Sequence, residues 1–428
     1  MEYIAELHTH SKYAGACSEQ LTLENMDAAA LTKGLNILLT GDFTHPLWFK
    51  DIKNRLIPSE EMGLYRLKGS KTGTKFIIGG EIATIFNKSG SGKAGVFDAT
   101  GNVSKVHHVV LVPNIETAEQ INETLGKLGN LAIDGRPQLN MSASDLVETL
   151  RKVSKEVFVF PAHVWTPWFG VLGSFSGYDS IKEAYEDQAQ HIHALETGLS
   201  SDPVMNWRVS ELDNYALLSG GDAHSIPKLG REATLFDIAE KNLSYDSIIY
   251  AIKNKQIKGT VEFYPEEGKY HYDGHRKCSV SLSPEQARKY NGICPVCRKR
   301  LTIGVLHRVE ELADREEGFV PDGAAPFVHA IPLIEVIAFV KKKSTGSVYV
   351  AKTYNELVKK FGNEMNVLLK STVDDIKHVD KELGRAIENM REDKVHVVPG
   401  YDGVFGIIDI ANSVKEARSP AQRTMSEF

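Results

Sequence analysis

The sequence predicts an α/β architecture with its chemistry at one end of a sheet, then a small metal-clipped module, then a C-terminal α/β or α+β domain. Three observations carry this. From residue 1 to about 240 short apolar runs alternate with helix-compatible segments, His, Asp and Glu recur where those runs end, and Cys278, Cys294 and Cys297 cluster beyond them. Strand, helix, strand repeated over this length implies an α/β barrel or a doubly wound sheet. A barrel is the stronger expectation, because the polar strand ends come from too many strands for one switch-point crevice.

The first element is His8-Thr9-His10. In an extended strand residues i and i+2 project from one face, so the two imidazoles can grip one ion. Two edge-strand histidines are the plain alternative. Company favours the ion. Asp42 follows Ile37-Leu38-Leu39, Glu81 follows Phe76-Ile77-Ile78, and His107-His108 adjoin Val109-Val110-Leu111-Val112. His163 then follows Val157-Phe158-Val159-Phe160, Glu196 follows Ala194-Leu195, and Asp222 and His224 follow Leu217-Leu218. Strand ends of a parallel sheet or barrel converge on one face, so these residues are expected to form one site. Between them, helices are expected from Leu23 after a Thr22 cap, from Ser144, and over Ser180 to Leu195.

Two glycine-rich stretches interrupt the alternation. Asn87 to Gly95 resembles a phosphate loop but lacks the first glycine, and Ala94 stands where a hydroxyl would meet a cation, so it reads as a loop. Trp165 to Tyr178 follows His163 directly and carries Trp165, Trp168, Phe169 and Tyr178. Its rings could stack on a planar part of a substrate, with Trp207 as a further wall, or fold back as an apolar plug.

The second chemical feature is His275-Arg276-Lys277-Cys278, then Cys294-Pro295-Val296-Cys297. Two short-spaced pairs can each wrap one side of a tetrahedral ion, predicting a structural zinc on Cys278, Cys294, Cys297 and either His275 or His271. Lys255 to Glu310 holds eleven Lys and Arg against six acidic residues, a basic excess that suits backbone phosphate or a merely solvated face. Four cysteines in all suit a reducing compartment. The formal charge of -6 gives no global case for nucleic acid. No run reaches the roughly 18 apolar residues that span a membrane, and no secretory signal opens the chain, so a cytoplasmic, nucleoid-associated protein is expected.

Beyond 311 the apolar stretch Val328 to Val340, helical segments at Glu356 to Leu369 and Asp374 to Met390, and strand-like Val395 to Pro399 and Gly403 to Ile410 suggest one further domain. The expected division is 1–240, 241–310 for the linker and zinc module, 311–411, and a tail from 412 to 428. That tail ends Gln422 to Phe428 with the spacing of a sliding-clamp-binding peptide, or is a plain flexible end.

On these residues the first 240 positions resemble the polymerase and histidinol phosphatase (PHP) superfamily of metal-dependent phosphoesterases, whose fold is a distorted (β/α)7 barrel. The resemblance implies two or three divalent ions: zinc, manganese, magnesium or iron. His8, His10, Glu81 and Asp222 would hold one and Glu81, His108 and His163 a second, with His107 able to exchange for His108, although strand phase favours His108. His224 and Asp42 would hold a third, with help from Cys17 or His45, because the usual Thr-Asp-His reads Thr40-Gly41-Asp42. His8, His10, Glu81 and Asp222 would carry the catalysis.

With Tyr270 to His275, the cysteines and Leu301 to Leu312 added, nearly the whole chain resembles the endonuclease Q family. That resemblance implies a monomeric DNA repair enzyme acting on damaged DNA, double or single stranded. It would incise 5′ of uracil, hypoxanthine, xanthine or an abasic site and leave a 3′-hydroxyl and a 5′-phosphate. A small-molecule PHP phosphatase, a non-enzymatic DNA-binding accessory protein and a zinc-module scaffold are the alternatives.

Overall fold

The computed structural model describes residues 1–87, 103–175 and 177–410. The phosphate-loop lookalike beyond Asn87, Ser176 of the aromatic loop, and the clamp-like tail lie outside the described residues.

The chain forms a mixed α/β fold around one large sheet. Its strands are β1 (Glu2–Glu6), β2 (Ile37–Leu39), β3 (Leu56–Pro58), β4 (Tyr65–Leu67), β5 (Lys75–Asn87), β6 (Val103–Val112), β7 (Gln138–Leu139) and β8 (Phe158–Pro161). A separate parallel pair follows, β9 (Ala194–Glu196) and β10 (Ala216–Leu218), then β11 (Ala233–Asp237) and β12 (Gly259–Glu262), which rejoin the sheet. The hydrogen-bonded order is β15-β12-β11-β1-β2-β5-β4-β3, where β15 is Phe327–His329, and β6 and β8 continue from β5.

Two apolar clusters flank the strands with period two. Ala5, Leu7, Ile37, Leu39, Ile77, Val109 and Leu111 pack together on one side. Ile4, Leu38, Phe76, Ile78, Val110 and Val112 pack on the other, against Met26 and Ala30 of the helix Leu23–Lys33. Each such fully buried side chain contributes about 1.5–3 kcal/mol. The helices begin where capping chemistry allows. Thr22 accepts from the Asn25 N–H as expected. The next expected start moves, because Ser142 rather than Ser144 is the cap, closing a reciprocal box with Asp145 before Ala143–Val153. The third expected helix is only Ile181–Tyr185, and at Glu186 a φ of 51° ends it in favour of a 3-10 turn.

Past the large sheet, β13 (Asp273–His275) and β14 (Val280–Leu282) make the hairpin of the cysteine module. Val328 to Val340 divides into β15, which pairs in parallel with β12, and the helix Leu333–Lys341. Helices Val348–Phe361, Val373–Val379 and Lys381–Arg391 follow, then the hairpin of β16 (His396–Val398) and β17 (Ile407–Asp409). The C-terminal helices are tied to the start of the chain by a buried ion pair, Lys33 Nζ to Glu364 at 2.8 Å, which Tyr354 also reaches at 2.7 Å. No helix among the described residues is long and apolar enough to cross a membrane.

Candidate metal centre

Beyond the end of β1, His8 and His10 are fully buried and sit beside Glu81 of β5 and Asp222, which lies past the end of β10. One ligand atom from each of these four residues lies within 4.8 Å of the others. His10 Nε2 is 2.9 Å from Asp222 Oδ1 and 3.3 Å from Glu81 Oε2. The far ring nitrogens are already engaged: His8 Nδ1 meets Glu196 at 2.9–3.0 Å, and His10 Nδ1 meets Asp42 Oδ1 at 2.9 Å. That arrangement turns both Nε2 atoms inward: His8 Nε2 is buried without a hydrogen-bond partner, 3.7 Å from Glu81 and 3.6 Å from Asp222, and His10 Nε2 faces the same two carboxylates. Converging buried donors of this type fit a divalent cation. The pocket is charge-rich: burial works against an ionised Glu81, but the facing His107, His10 and His163 hold its carboxyl well below the usual range.

Glu81 also belongs to a second group, with His107 and His163. Its Oε1 lies 2.5 Å from His107 Nδ1 and 3.2 Å from His163 Nε2. This corrects the expectation for His108. In the antiparallel pairing of β5 with β6, Glu81 stands opposite Val109 and Ala83 opposite His107, so Glu81 and His107 share a face. His108 stands opposite Ile82 and points the other way, between Thr84 Oγ1 at 3.0 Å and the Tyr185 hydroxyl at 2.9 Å. Burial pushes it down to about 3, leaving a neutral imidazole.

Asp42 is not a direct member either. Oδ1 is taken by His10, and Oδ2 accepts from the Ser11 N–H and hydroxyl, both at 2.6 Å, so Asp42 orients a ligand. His224 stays partly exposed, its ring 4.9 Å from that of His10 and its Nδ1 on the Asp222 carbonyl. Cys17, whose thiol burial pushes up to about 12, and His45, stacked on Tyr13, complete no site. Among the described residues, no third group forms around Asp42 and His224. Asp42, His163 and Asp222 all adopt positive φ, of 44°, 31° and 45°, so the site stores backbone strain in three of its residues.

Two residues of the site had no role assigned from sequence. Glu196 was legible only as a polar strand end. Arg136 gave no signal at all, yet its guanidinium lies 3.2 Å from Glu81 Oε2 at the partly exposed rim.

The second candidate site is the cysteine module. Ligand atoms of His275, Cys278, Cys294 and Cys297 lie within 4.8 Å of one another, with His275 Nδ1 3.6 Å from Cys297 Sγ. His271 is outside the group, buried and stacked on Tyr272. Arg276, Lys277, Arg298, Lys299 and Arg300 are exposed around this knot. Arg308 is turned inward instead, donating to the carbonyls of Leu172 and Tyr178 and so joining the module to the aromatic loop.

That loop divides into two parts. Trp165 and Tyr178, expected as walls for a substrate, are core residues: Trp165 is fully buried and donates to Asn206 Oδ1 at 2.8 Å, and Tyr178 is also buried. Trp207 is likewise buried, against Phe327. Trp168 and Phe169 are half-buried. Trp168 stacks on Phe175 at 4.9 Å and meets Tyr270 edge-on, while Phe169 lies 4.3 Å from the ring of His107.

The fold has counterparts among known proteins. Residues 332–394 match the family model of the MJ0043 C-terminal domain. The lesion-specific endonuclease PfuEndoQ of Pyrococcus furiosus superposes with a TM-score of 0.83 at 30% identity, over 96% of this chain and 95% of that one. The chain belongs to the endonuclease Q family. A structure of endonuclease Q in complex with a 27-mer duplex substrate, with an abasic lesion at the active site, matches at 29% identity and a TM-score of 0.82 over 97% of this chain and 99% of that one. Curated relatives of this endonuclease Q family member are the uncharacterised MJ0043 of Methanocaldococcus jannaschii, 34% identical over 57% of this chain, and the uncharacterised YqxK of Bacillus subtilis, 29% identical over 71%. The chain spans 31% of the length of MJ0043 and 73% of that of YqxK.

Proposed function

We propose that the protein is a metal-dependent DNA repair endonuclease that cuts the phosphodiester 5′ of deaminated bases (uracil, hypoxanthine, xanthine) and of abasic sites, leaving a 3′-hydroxyl and a 5′-phosphate. One observation carries the reading. Two groups of metal-binding side chains meet at the buried carboxylate of Glu81, in a chain that superposes along 96% of its length on a lesion-specific endonuclease. The large sheet is read as a distorted (β/α)7 barrel of the PHP type, with the site at its strand ends.

Divalent ions on His8, His10, Glu81 and Asp222, and on Glu81, His107 and His163, would supply a nucleophilic water at neutral pH and offset the charge that develops on the phosphate. The protein's own groups do the rest. Glu81 belongs to both ligand groups and would be shared between the two ions. Arg136, at the rim and hydrogen-bonded to Glu81, would offer the other donors of its planar fork to a non-bridging phosphate oxygen. Phe169 beside His107, and Trp168 beside Phe175 and Tyr270, would offer rings for an unstacked base, and deaminated or mismatched pairs cost less to open. The exposed cations of the cysteine module suit the backbone of a duplex, and its three thiolates and imidazole suit a structural zinc.

The test is a panel of labelled duplexes carrying uracil, hypoxanthine, an abasic site or no damage, run with Mg²⁺, Mn²⁺ or Zn²⁺ beside a set of phosphomonoesters. Lesion-dependent nicking that Asp222→Asn abolishes supports the proposal. Monoester turnover without nicking refutes it and favours a small-molecule phosphatase.

A further inference from the structure

Glu196 closes β9 and is 1% exposed, yet it touches neither ligand group as a member. Both of its oxygens lie on His8 Nδ1, at 3.0 and 2.9 Å. Its Oε2 also accepts from the backbone N–H of His163 at 2.7 Å. His8 belongs to the first group of ligands and His163 to the second.

The sequence is shaped around this carboxylate. Gly220 has no side chain where a Cβ would come within 2.4 Å of Glu196 Oε1 and 2.8 Å of His8 Cβ, so any larger residue there would displace the pair. Gly198, at φ +60°, lets the chain leaving β9 pass beneath His163, where an added Cβ would stand 2.6 Å from His163 Cβ. His163 itself is held at φ 31°, a conformation that an unbranched L-residue adopts at a cost and keeps only when its surroundings over-determine it. The bond from its N–H to Glu196 is one such constraint. The carboxylate therefore sets the ring tautomer and basicity of one ligand and the backbone conformation of another.

We infer that Glu196 is a positioning residue that couples the two ion positions, so that losing its charge weakens both together. This rests on the two-ion reading above, but its test reads ion binding and needs no DNA. Mn²⁺ is the probe, because oxygen and imidazole ligands accept it more readily than a thiolate set does, which leaves the cysteine module out of the titration. Calorimetric titration of the full, metal-stripped chain with Mn²⁺ is compared between wild type, Glu196→Gln and Asp42→Asn, with circular dichroism reporting the fold. Outer partners of metal-binding histidines typically contribute about 10–100-fold in affinity. Glu196→Gln is expected to weaken both Mn²⁺ events by that order, whereas Asp42→Asn, which orients His10 alone, weakens one. Glu196→Asp, keeping the charge on a shorter stem, recovers part of the loss and serves in its place if the Gln variant misfolds. Unchanged Mn²⁺ affinity in Glu196→Gln, or loss confined to one event, overturns the coupling. If the wild type binds Mn²⁺ as described but never nicks DNA, the nuclease reading fails and the role of Glu196 stands.

Discussion

Nδ1 of His107 stands 2.5 Å from Oε1 of Glu81 across two neighbouring strands, with both side chains buried. His108, one residue along, faces the opposite side. His107→Ala should therefore lower lesion-dependent nicking on the order of 100-fold or more, since it removes a group in the site itself. His108→Leu should leave the catalytic rate nearly intact and instead lower the unfolding free energy by about 1–3 kcal/mol, the cost of stranding the buried hydroxyl of Tyr185, while Thr84 keeps its bond to the Val106 carbonyl. Paired nicking and chemical-denaturation curves check both. Equal catalytic losses in the two variants would contradict the assignment.

Arg136 reaches Glu81 from the rim, with a side chain 22% exposed. A hydrogen bond to a charged group contributes about 1.5–3 kcal/mol. Arg136→Ala should weaken catalysis on a lesion duplex by roughly ten- to a hundredfold. Arg136→Lys should recover only part, because a point charge cannot reproduce the planar fork. Steady-state kinetics with the three proteins measures this, and full activity of the Ala variant would remove Arg136 from the site.

The aromatic loop makes a further separation possible. Trp165→Ala empties a fully buried volume and leaves Asn206 Oδ1 without its donor, so a loss of about 3–5 kcal/mol of stability is expected. Trp168→Ala touches a half-buried surface ring and should spare the melting temperature while reducing incision at uracil relative to undamaged controls. Wild-type lesion preference in Trp168→Ala and Phe169→Ala would show that these rings have no part in recognition.

Much of the site was readable in the sequence because its signals are local. His8 and His10 sit two apart in the extended chain just past β1, and Cys294 and Cys297 make a short turn, so each spacing reports its geometry directly. The phase of β6 was not readable. Val110 and Val112 pack on one side and Val109 and Leu111 on the other, so the strand is apolar on both faces and carries no alternation to tell His107 from His108. Arg136 meets Glu81 across 55 residues, a contact set by the whole fold. Ring content likewise marked Trp165 and Trp168 alike, though one faces the core and the other the surface.

His329 of β15 lies between Asp202 Oδ2 at 3.3 Å and Asp393 Oδ1 at 3.4 Å, stacked on Tyr264, and so joins the large sheet to the end of the helix Lys381–Arg391. Burial opposes its charge, but Asp202 and Asp393 raise it well above the ordinary imidazole value. A raised folded-state value means that the stabilisation is fully present below the ordinary value of about 6.5 and fades as pH climbs through the higher one. His329→Gln should thus lower the melting temperature most in mildly acidic buffer, just below the ordinary imidazole value, with the gap to wild type closing in alkaline buffer. Removing one partner of a buried ion pair costs about 3–5 kcal/mol. A gap that stays constant with pH would exclude a charged His329.

The decisive measurement is incision of an end-labelled duplex bearing a single abasic site, with product ends mapped, by wild type and Glu81→Gln in the presence and absence of Mn²⁺. A metal-dependent lesion endonuclease built on Glu81 makes one cut, 5′ of the lesion, with a 3′-hydroxyl and a 5′-phosphate, that needs the ion and disappears in Glu81→Gln. Cutting of the undamaged duplex at the same rate, or undiminished incision by Glu81→Gln, would contradict it.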